Sequence, residues 1–77
     1  MKTLVWNIFC EDSIIQAIDE ENNILYWIEE KEDGTNNLYF SNDLFNLKSV
    51  KFIDNSDKIK LTEIAQSHYD NLIKLIS

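Results

Sequence analysis

Cys10 and His68 are the residue types most often used for nucleophilic and acid–base catalysis, and each occurs once in the chain. A cysteine nucleophile needs a histidine within hydrogen-bond reach and surroundings that favour the thiolate. Glu11 and Asp12 follow Cys10 directly, and negative charge at that place disfavours a thiolate. His68 falls on the apolar stripe of a predicted helix, which is typical of a packed side chain. We therefore expect that this pair does not make the protein an enzyme.

The acidic segments at residues 11–12 and 19–21 are rich in oxygen ligands, but neither follows the alternating ligand order of a calcium loop. With one cysteine and one histidine, carboxylates would have to complete a four-ligand zinc site. Phosphate-binding loops need several glycines, and Gly34 is the only glycine in the sequence. These patterns predict neither a metal site nor a cofactor.

The charge of the chain is −7, from fourteen acidic residues and seven lysines. Residues 1–43 contain ten acids and two lysines, a balance of −8, whereas residues 44–77 contain four acids and five lysines, a balance of +1. Such a field repels nucleic acid and anionic membranes and attracts basic protein surfaces. We expect a basic protein partner, with no direct contact to nucleic acid or membrane.

A β-hairpin is predicted at the centre of the chain, over residues 23–41. Residues 24–28 and 37–40 are aromatic and β-branched runs, with Ile24, Tyr26 and Ile28 on one face of the first run. The polar segment between them contains Asp33 and Gly34, and Gly34 accepts a positive φ without steric strain. Since this segment exceeds two residues, we expect a bulged or longer loop.

The remaining segments must supply further strands and a covering helix, because a lone hairpin is marginal in water. Residues 3–9 predict a central strand, with apolar side chains on both faces. Residues 11–23 fit either a short helix or the first arm of a second hairpin, and we favour the helix slightly. Residues 44–47 predict a helical turn, and residues 49–53 a strand at the edge of the sheet.

The clearest helix spans residues 61–76, where apolar residues recur at helical spacing. Its predicted stripe consists of Leu61, Ile64, Ala65, His68, Leu72, Leu75 and Ile76. The predicted fold is α+β, one domain over residues 1–77, with an antiparallel sheet of three to five strands covered by this helix.

Several features of the composition bear on the protein's setting. No apolar run approaches the roughly 18 residues of a membrane span, and the N-terminus does not resemble a signal peptide. A single cysteine fits a reducing compartment, so we expect a cytoplasmic protein. The absence of arginine and proline, with abundant Ile, Asn and Lys, is typical of a low-GC bacterium or its phage.

The predicted function is protein recognition. The predicted partner-binding residues are acids at the ends of predicted elements, where several could gather on one rim, and two aromatics of the hairpin. They are Glu11, Asp12, Asp19, Glu20, Glu21, Glu29, Glu30, Glu32, Asp33, Trp27 and Tyr39. Carboxylates can replace phosphates in a cationic groove.

Two function classes remain open. The first is a small acidic inhibitor, phage-encoded, that blocks a nucleic-acid-binding enzyme such as a restriction or CRISPR nuclease. The second is an immunity protein or antitoxin that neutralises a cognate toxin, or a non-catalytic subunit of a larger assembly. A solubilising role for the acids competes with both classes. No residue motif connects the chain to a named family.

One helix cannot cover both faces of the sheet. An uncovered face rich in Trp6, Trp27 or Phe40 predicts weak homodimerisation or a hydrophobic docking patch.

Overall fold

The protein is a five-stranded antiparallel meander with one helix. The computed structural model describes residues 3–10, 13–42, 50–54 and 57–76, with Cys10 and residues 50–54 described by their backbone alone. The elements are β1 (Asn7–Cys10), β2 (Ile14–Asp19), β3 (Ile24–Glu30), β4 (Asn36–Ser41), β5 (Val50–Asp54) and α1 (Lys58–Ile76). The strands lie in the order β1-β2-β3-β4-β5. The predicted α+β fold is therefore confirmed, as is the edge position of the strand near residues 49–53.

The hairpin of β3 and β4 forms as predicted. Trp27 pairs with Tyr39 and Ile28 with Leu38. The loop of residues 31–35 is longer than a two-residue turn, and Gly34 has the positive φ of 87° that glycine tolerates. Within this loop, the amide of Lys31 donates to the carbonyl of Thr35 at 2.8 Å. The strand alternation follows the prediction, because Ile24, Tyr26 and Ile28 are all buried in the core.

The slight preference for a short helix within residues 11–23 is wrong. Ile14–Asp19 is a strand, which pairs with β1 on one side and β3 on the other. The spacing of Ile14, Ile15 and Ile18 resembles a helix stripe, but it arises because isoleucines occupy both faces of the strand. Asn23 adopts a positive φ of 61°, which closes the turn to β3.

The prediction of a central strand over residues 3–9 is also wrong. The strand begins at Asn7, and β1 lies at the edge of the sheet. Ile8 and Phe9 are 67% and 65% exposed, so apolar residues on both faces did not indicate burial here. Leu4, which precedes the strand, is buried, and its amide donates to Oε1 of Gln66 on the helix at 2.8 Å. This segment packs against α1 before the chain enters the sheet.

The helix begins three residues earlier than predicted. Asp57 caps it, because its Oδ1 accepts from the amide of Lys60 at 2.8 Å. Its 19 residues span about 27 Å, enough to cross the small sheet. Within the helix, Leu61, Ala65 and Tyr69 are buried.

Two members of the predicted helix stripe are exposed instead. Leu75 and Ile76 are 81% and 59% exposed, since the last turn extends past the core. Tyr69 is absent from the predicted stripe, but it is one of the buried residues of the helix. The described helix contains no stretch long and apolar enough to cross a bilayer. The predicted helical turn at residues 44–47 lies outside the described residues.

Candidate functional site

The predicted partner-binding acids do not form one rim. Asp19, Glu20 and Glu21 lie where β2 turns into β3, and Glu32 and Asp33 lie at the other end of β3. The seven residues of β3 separate these ends by about 20 Å at 3.3 Å per residue. That distance exceeds the Debye length of about 8 Å at physiological salt, so the two acidic ends act independently on a partner. Glu11 and Asp12 lie outside the described residues.

Asp19 has a structural role that excludes it from a contact surface. It is 1% exposed and accepts a hydrogen bond from the hydroxyl of Tyr69. Its carboxylate also accepts from the amide and the side-chain Nδ2 of Asn22, at 3.2 and 2.8 Å. The prediction that Asp19 meets a partner is therefore corrected, because this carboxylate holds the β2–β3 turn to the helix. Glu20 and Glu21 beside it are exposed.

The other end of β3 carries an open acidic concavity of about 510 Å³. We call it the acidic concavity. It is lined by Ser13, Glu29, Glu30, Lys31, Glu32 and Asp33. Four acidic residues and one lysine therefore line a single depression. Ser13 belongs to it because its carbonyl accepts from the amide of Glu30 at 2.8 Å, which joins the start of β2 to the end of β3.

Short hydrogen bonds order the loop beneath these acids. Oδ1 of Asp33 accepts from the hydroxyl of Thr35 at 2.6 Å and from its amide at 3.0 Å. These hydrogen bonds lower the pKa of Asp33 below its usual value of 3.8, so the carboxylate stays charged. The carboxylate of Glu30 lies 3.1 Å from the ammonium of Lys58 and is partly neutralised by it. Glu29, Glu32 and Asp33 are the acids that remain for an outside charge.

Asn37 lies across the strand pair from Glu29, and its side chain is 1% exposed. Within the described ranges, neither Oδ1 nor Nδ2 of its amide has a hydrogen-bond partner. A buried amide left in this way is uncommon and destabilising. The fold therefore tolerates a local cost at the acidic end, in contrast to the fully engaged Asp19.

The sheet face opposite the helix carries the two predicted aromatic residues. Trp27 and Tyr39 are half-buried and stack with ring centroids 5.0 Å apart and planes 12° from parallel. Trp6 and Phe40, expected on such a face, instead pack against the core under the helix. That part of the prediction is wrong for both residues. For Phe40, the reason is strand alternation, because its side chain and that of Tyr39 point to opposite faces of the sheet.

A shallow groove of about 360 Å³ adjoins Trp27 on the same face. We call it the apolar groove. It is lined by Phe9, Ile14, Gln16, Leu25 and Trp27. Sequence reasoning missed the first four of these residues as candidates for binding. Alternation in β2 and β3 was the available signal, because it turns Ile14, Gln16 and Leu25 away from the helix.

His68 is engaged in the core beneath the helix. Its Nδ1 lies 2.6 Å from the hydroxyl of Tyr26, and its ring meets Phe40 edge-on at 4.8 Å. Burial lowers the pKa of His68, so the neutral ring is favoured. The side chain of Cys10 lies outside the described part, so its distance from His68 is not defined. Among the described residues, no three His, Cys, Asp or Glu side chains gather in a way that could hold a metal ion.

The described site therefore offers charge, an aromatic stack and a shallow apolar surface. These are the components of a recognition surface. No protein-family model, curated protein or solved structure matches the chain, so its function has to be argued from its own residues.

Proposed function

We propose that this protein is a non-catalytic inhibitor that binds a basic surface of a nucleic-acid-handling protein, with the acidic concavity in the position of nucleic-acid phosphates. The observation that carries the proposal is that Glu29, Glu32 and Asp33 line one depression together with a single lysine. Grooves that bind nucleic acid recognise phosphate charge largely without regard to sequence, so a cluster of fixed carboxylates competes for them.

The order of the loop supports this proposal. Charges held in place lose less conformational freedom on binding than charges on a mobile chain. Asp33 is held by Thr35, and the loop is closed between Lys31 and Gly34 by a backbone hydrogen bond of 2.9 Å.

The buried amide of Asn37, which has no hydrogen-bond partner among the described residues, gives further support. Proteins tend to keep locally unfavourable groups where function requires them, and Asn37 pairs with Glu29 at the border of the acidic concavity. The proposed partners are cytoplasmic enzymes of the restriction or CRISPR nuclease type. The cytoplasmic setting rests on the single cysteine, which suits a reducing compartment.

The two acidic ends allow a charge-matched test. One variant carries Glu32→Gln and Asp33→Asn, and the control carries Glu20→Gln and Glu21→Gln. Each variant loses two exposed carboxylates and keeps the side-chain size. Immobilised parent and variants are exposed to lysate of a low-GC bacterial host. We expect a nucleic-acid-binding protein that the parent and the control retain and the first variant loses.

The recovered protein is then tested for its own activity. Double-stranded DNA should displace it from the inhibitor, and its nuclease activity should fall as the parent inhibitor is added. Association should also slow as salt is raised, since charge steering weakens with screening. Equal retention by both variants would remove the acidic concavity as the contact. A partner without any nucleic-acid site would replace this proposal with the immunity-protein class.

A further inference from the structure

The apolar groove and the acidic concavity share a border. Ser13 lines the concavity and Ile14 the groove, and these are consecutive residues at the start of β2. On β3, Trp27 lines the groove and Glu29 the concavity. Ile14 also pairs directly with Glu29 across the two strands. A single chain lying on this face would therefore meet an apolar surface and a carboxylate together.

The spacing between the two features is set by strand geometry. Adjacent strands lie about 4.8 Å apart, and residues i and i+2 of one strand about 6.7 Å apart. Glu29 therefore lies roughly 5–7 Å from both Ile14 and Trp27. An extended peptide repeats side chains on one face at the same interval. An apolar side chain seated in the groove would place the second residue along the partner chain over Glu29.

The charge of this region decides which occupant fits. A second copy of the chain would carry its own charge of −7 and its own Glu29 to the same place. Like charges brought together across an interface cost several kcal/mol, on the order of what a small contact gains. An extended chain with lysine or arginine two residues from an apolar residue instead matches both features. The shallow depth of the groove suits one or two side chains rather than a folded domain.

We infer that the apolar groove binds an exposed cationic segment of the partner protein, in which an apolar side chain enters between Phe9 and Trp27 and a lysine or arginine two residues away pairs with Glu29. This inference rests on the proposed function, because it assigns the partner's chemistry next to the acidic concavity. It adds an apolar contact to the charge contacts of the proposed interface.

Three amidated pentapeptides serve as probes. The first is Lys-Ser-Leu-Ser-Lys, the second Lys-Ser-Ser-Ser-Lys with the same charge, and the third Glu-Ser-Leu-Ser-Glu with the same apolar residue. Binding is followed by tryptophan fluorescence in a Trp6→Phe background, where Trp27 is the reporter, and by NMR shifts of the β1–β3 amides. We expect the first peptide to bind at least about tenfold more tightly than either of the others, which is about 1.4 kcal/mol.

Two protein variants locate the peptide. Phe9→Ser removes an exposed wall of the groove, and Leu75→Ser removes a still more exposed apolar side chain at the end of the helix. We expect Phe9→Ser to weaken the first peptide about tenfold and Leu75→Ser to leave it unchanged. Glu29→Gln should weaken it as well and reduce its advantage over the acidic peptide. Equal affinity for the first two peptides, or equal effects of the two serine variants, would overturn the inference.

The result is separable from that of the proposed function. If Phe9→Ser has no effect while Glu32→Gln with Asp33→Asn still releases the partner, the acidic inhibitor stands and the groove inference fails. If Phe9→Ser releases the partner and the acidic variant does not, the groove stands and the acidic inhibitor fails. Sedimentation that shows a dimer dissociated by Phe9→Ser would assign the groove to a second copy and overturn the cationic occupant.

Discussion

The two acidic ends of β3 look alike in sequence and differ in the folded protein. Residues 19–21 and 29–33 are both carboxylate-rich segments at strand ends. At the first end, Asp19 is buried and bound to Tyr69 and Asn22. At the second end, Glu32 and Asp33 are exposed and the buried Asn37 has no hydrogen-bond partner among the described residues. A run of acidic residues can therefore be structural or solvent-exposed, and which it is depends on which side chain turns inward.

The contrast separates an end that stabilises the fold from an end that is available for binding. Tyr69 lies 50 residues from Asp19 along the chain, so their hydrogen bond connects the helix to the β2–β3 turn. The acidic concavity meets the helix through Lys58 and Glu30, a half-exposed ion pair that contributes about 0–1 kcal/mol. Changes at the two ends should thus differ in kind.

The largest expected effect is that of Asp19→Ala. This change leaves the buried Tyr69 hydroxyl without its acceptor and frees the β2–β3 turn, and it should lower the free energy of unfolding by about 2–4 kcal/mol. Urea denaturation measures the change, with Glu20→Ala as the exposed neighbouring control. If the two variants unfold at the same urea concentration, the two acidic ends do not differ as described.

The next effect has the opposite sign and lies at the other end. Asn37→Leu replaces a buried amide, which lacks a hydrogen-bond partner in the described part of the chain, with an apolar side chain of similar size. It should raise the free energy of unfolding by about 1–3 kcal/mol, because the desolvation penalty of the amide disappears. Thermal denaturation checks this, with the exposed Asn42→Leu as control. An unchanged or lower Tm for Asn37→Leu would mean that the amide is satisfied in solution.

The pH dependence of stability should also differ between the two acidic ends. Burial, with the hydrogen bond to Asp19, raises the pKa of Tyr69 to about 12 from its usual 10.0. The unfolded chain ionises this hydroxyl first, so stability present below pH 10 is lost as the pH rises toward 12. Tyr69→Phe should flatten this alkaline loss, although burial also raises the pKa of Tyr26 and leaves part of it.

At the acidic end the direction is reversed. Because the pKa of Asp33 is lowered in the folded protein, its contribution is present above pH 3.8 and is lost as the pH falls below that value. Asp33→Asn should flatten only the acid side, whereas Tyr69→Phe should change chiefly the alkaline side. Denaturation midpoints measured from pH 2 to pH 12 reveal either pattern. Any exchange of the two effects would contradict the assigned contacts.

The smallest effect on stability should come from removing four acids at once. Changing Glu29, Glu30, Glu32 to Ser and Asp33 to Asn should shift the free energy of unfolding by no more than about 0.5–1 kcal/mol. Lost repulsion among the carboxylates offsets the lost pair of Glu30 with Lys58. Circular dichroism and urea denaturation provide the measurement. A loss as large as that of Asp19→Ala would make these acids structural, and their removal could no longer test binding.

Much of the fold followed from local patterns. The hairpin of β3 and β4, the positive φ at Gly34 and the long helix were predicted because strand alternation, glycine freedom and helical spacing act over a few residues. The same alternation placed Tyr26 and Trp27 on opposite faces correctly. The composition also set the net charge and its concentration in the first 43 residues. These properties do not depend on which elements meet.

The errors arose where distant segments had to meet. The isoleucines of β2 resemble a helix stripe, but the segment is a strand because it pairs with β1 and β3. The sequence pattern also predicts a central position for β1, although the meander leaves this strand at the edge of the sheet. The number of carboxylates was known from the sequence, but not their distribution over two ends about 20 Å apart. Only the packed helix, which brings Tyr69 onto Asp19, decided that this acid is structural and that Glu32 and Asp33 remain exposed. Burial depends on contacts between residues far apart in the chain, and no local pattern contains them.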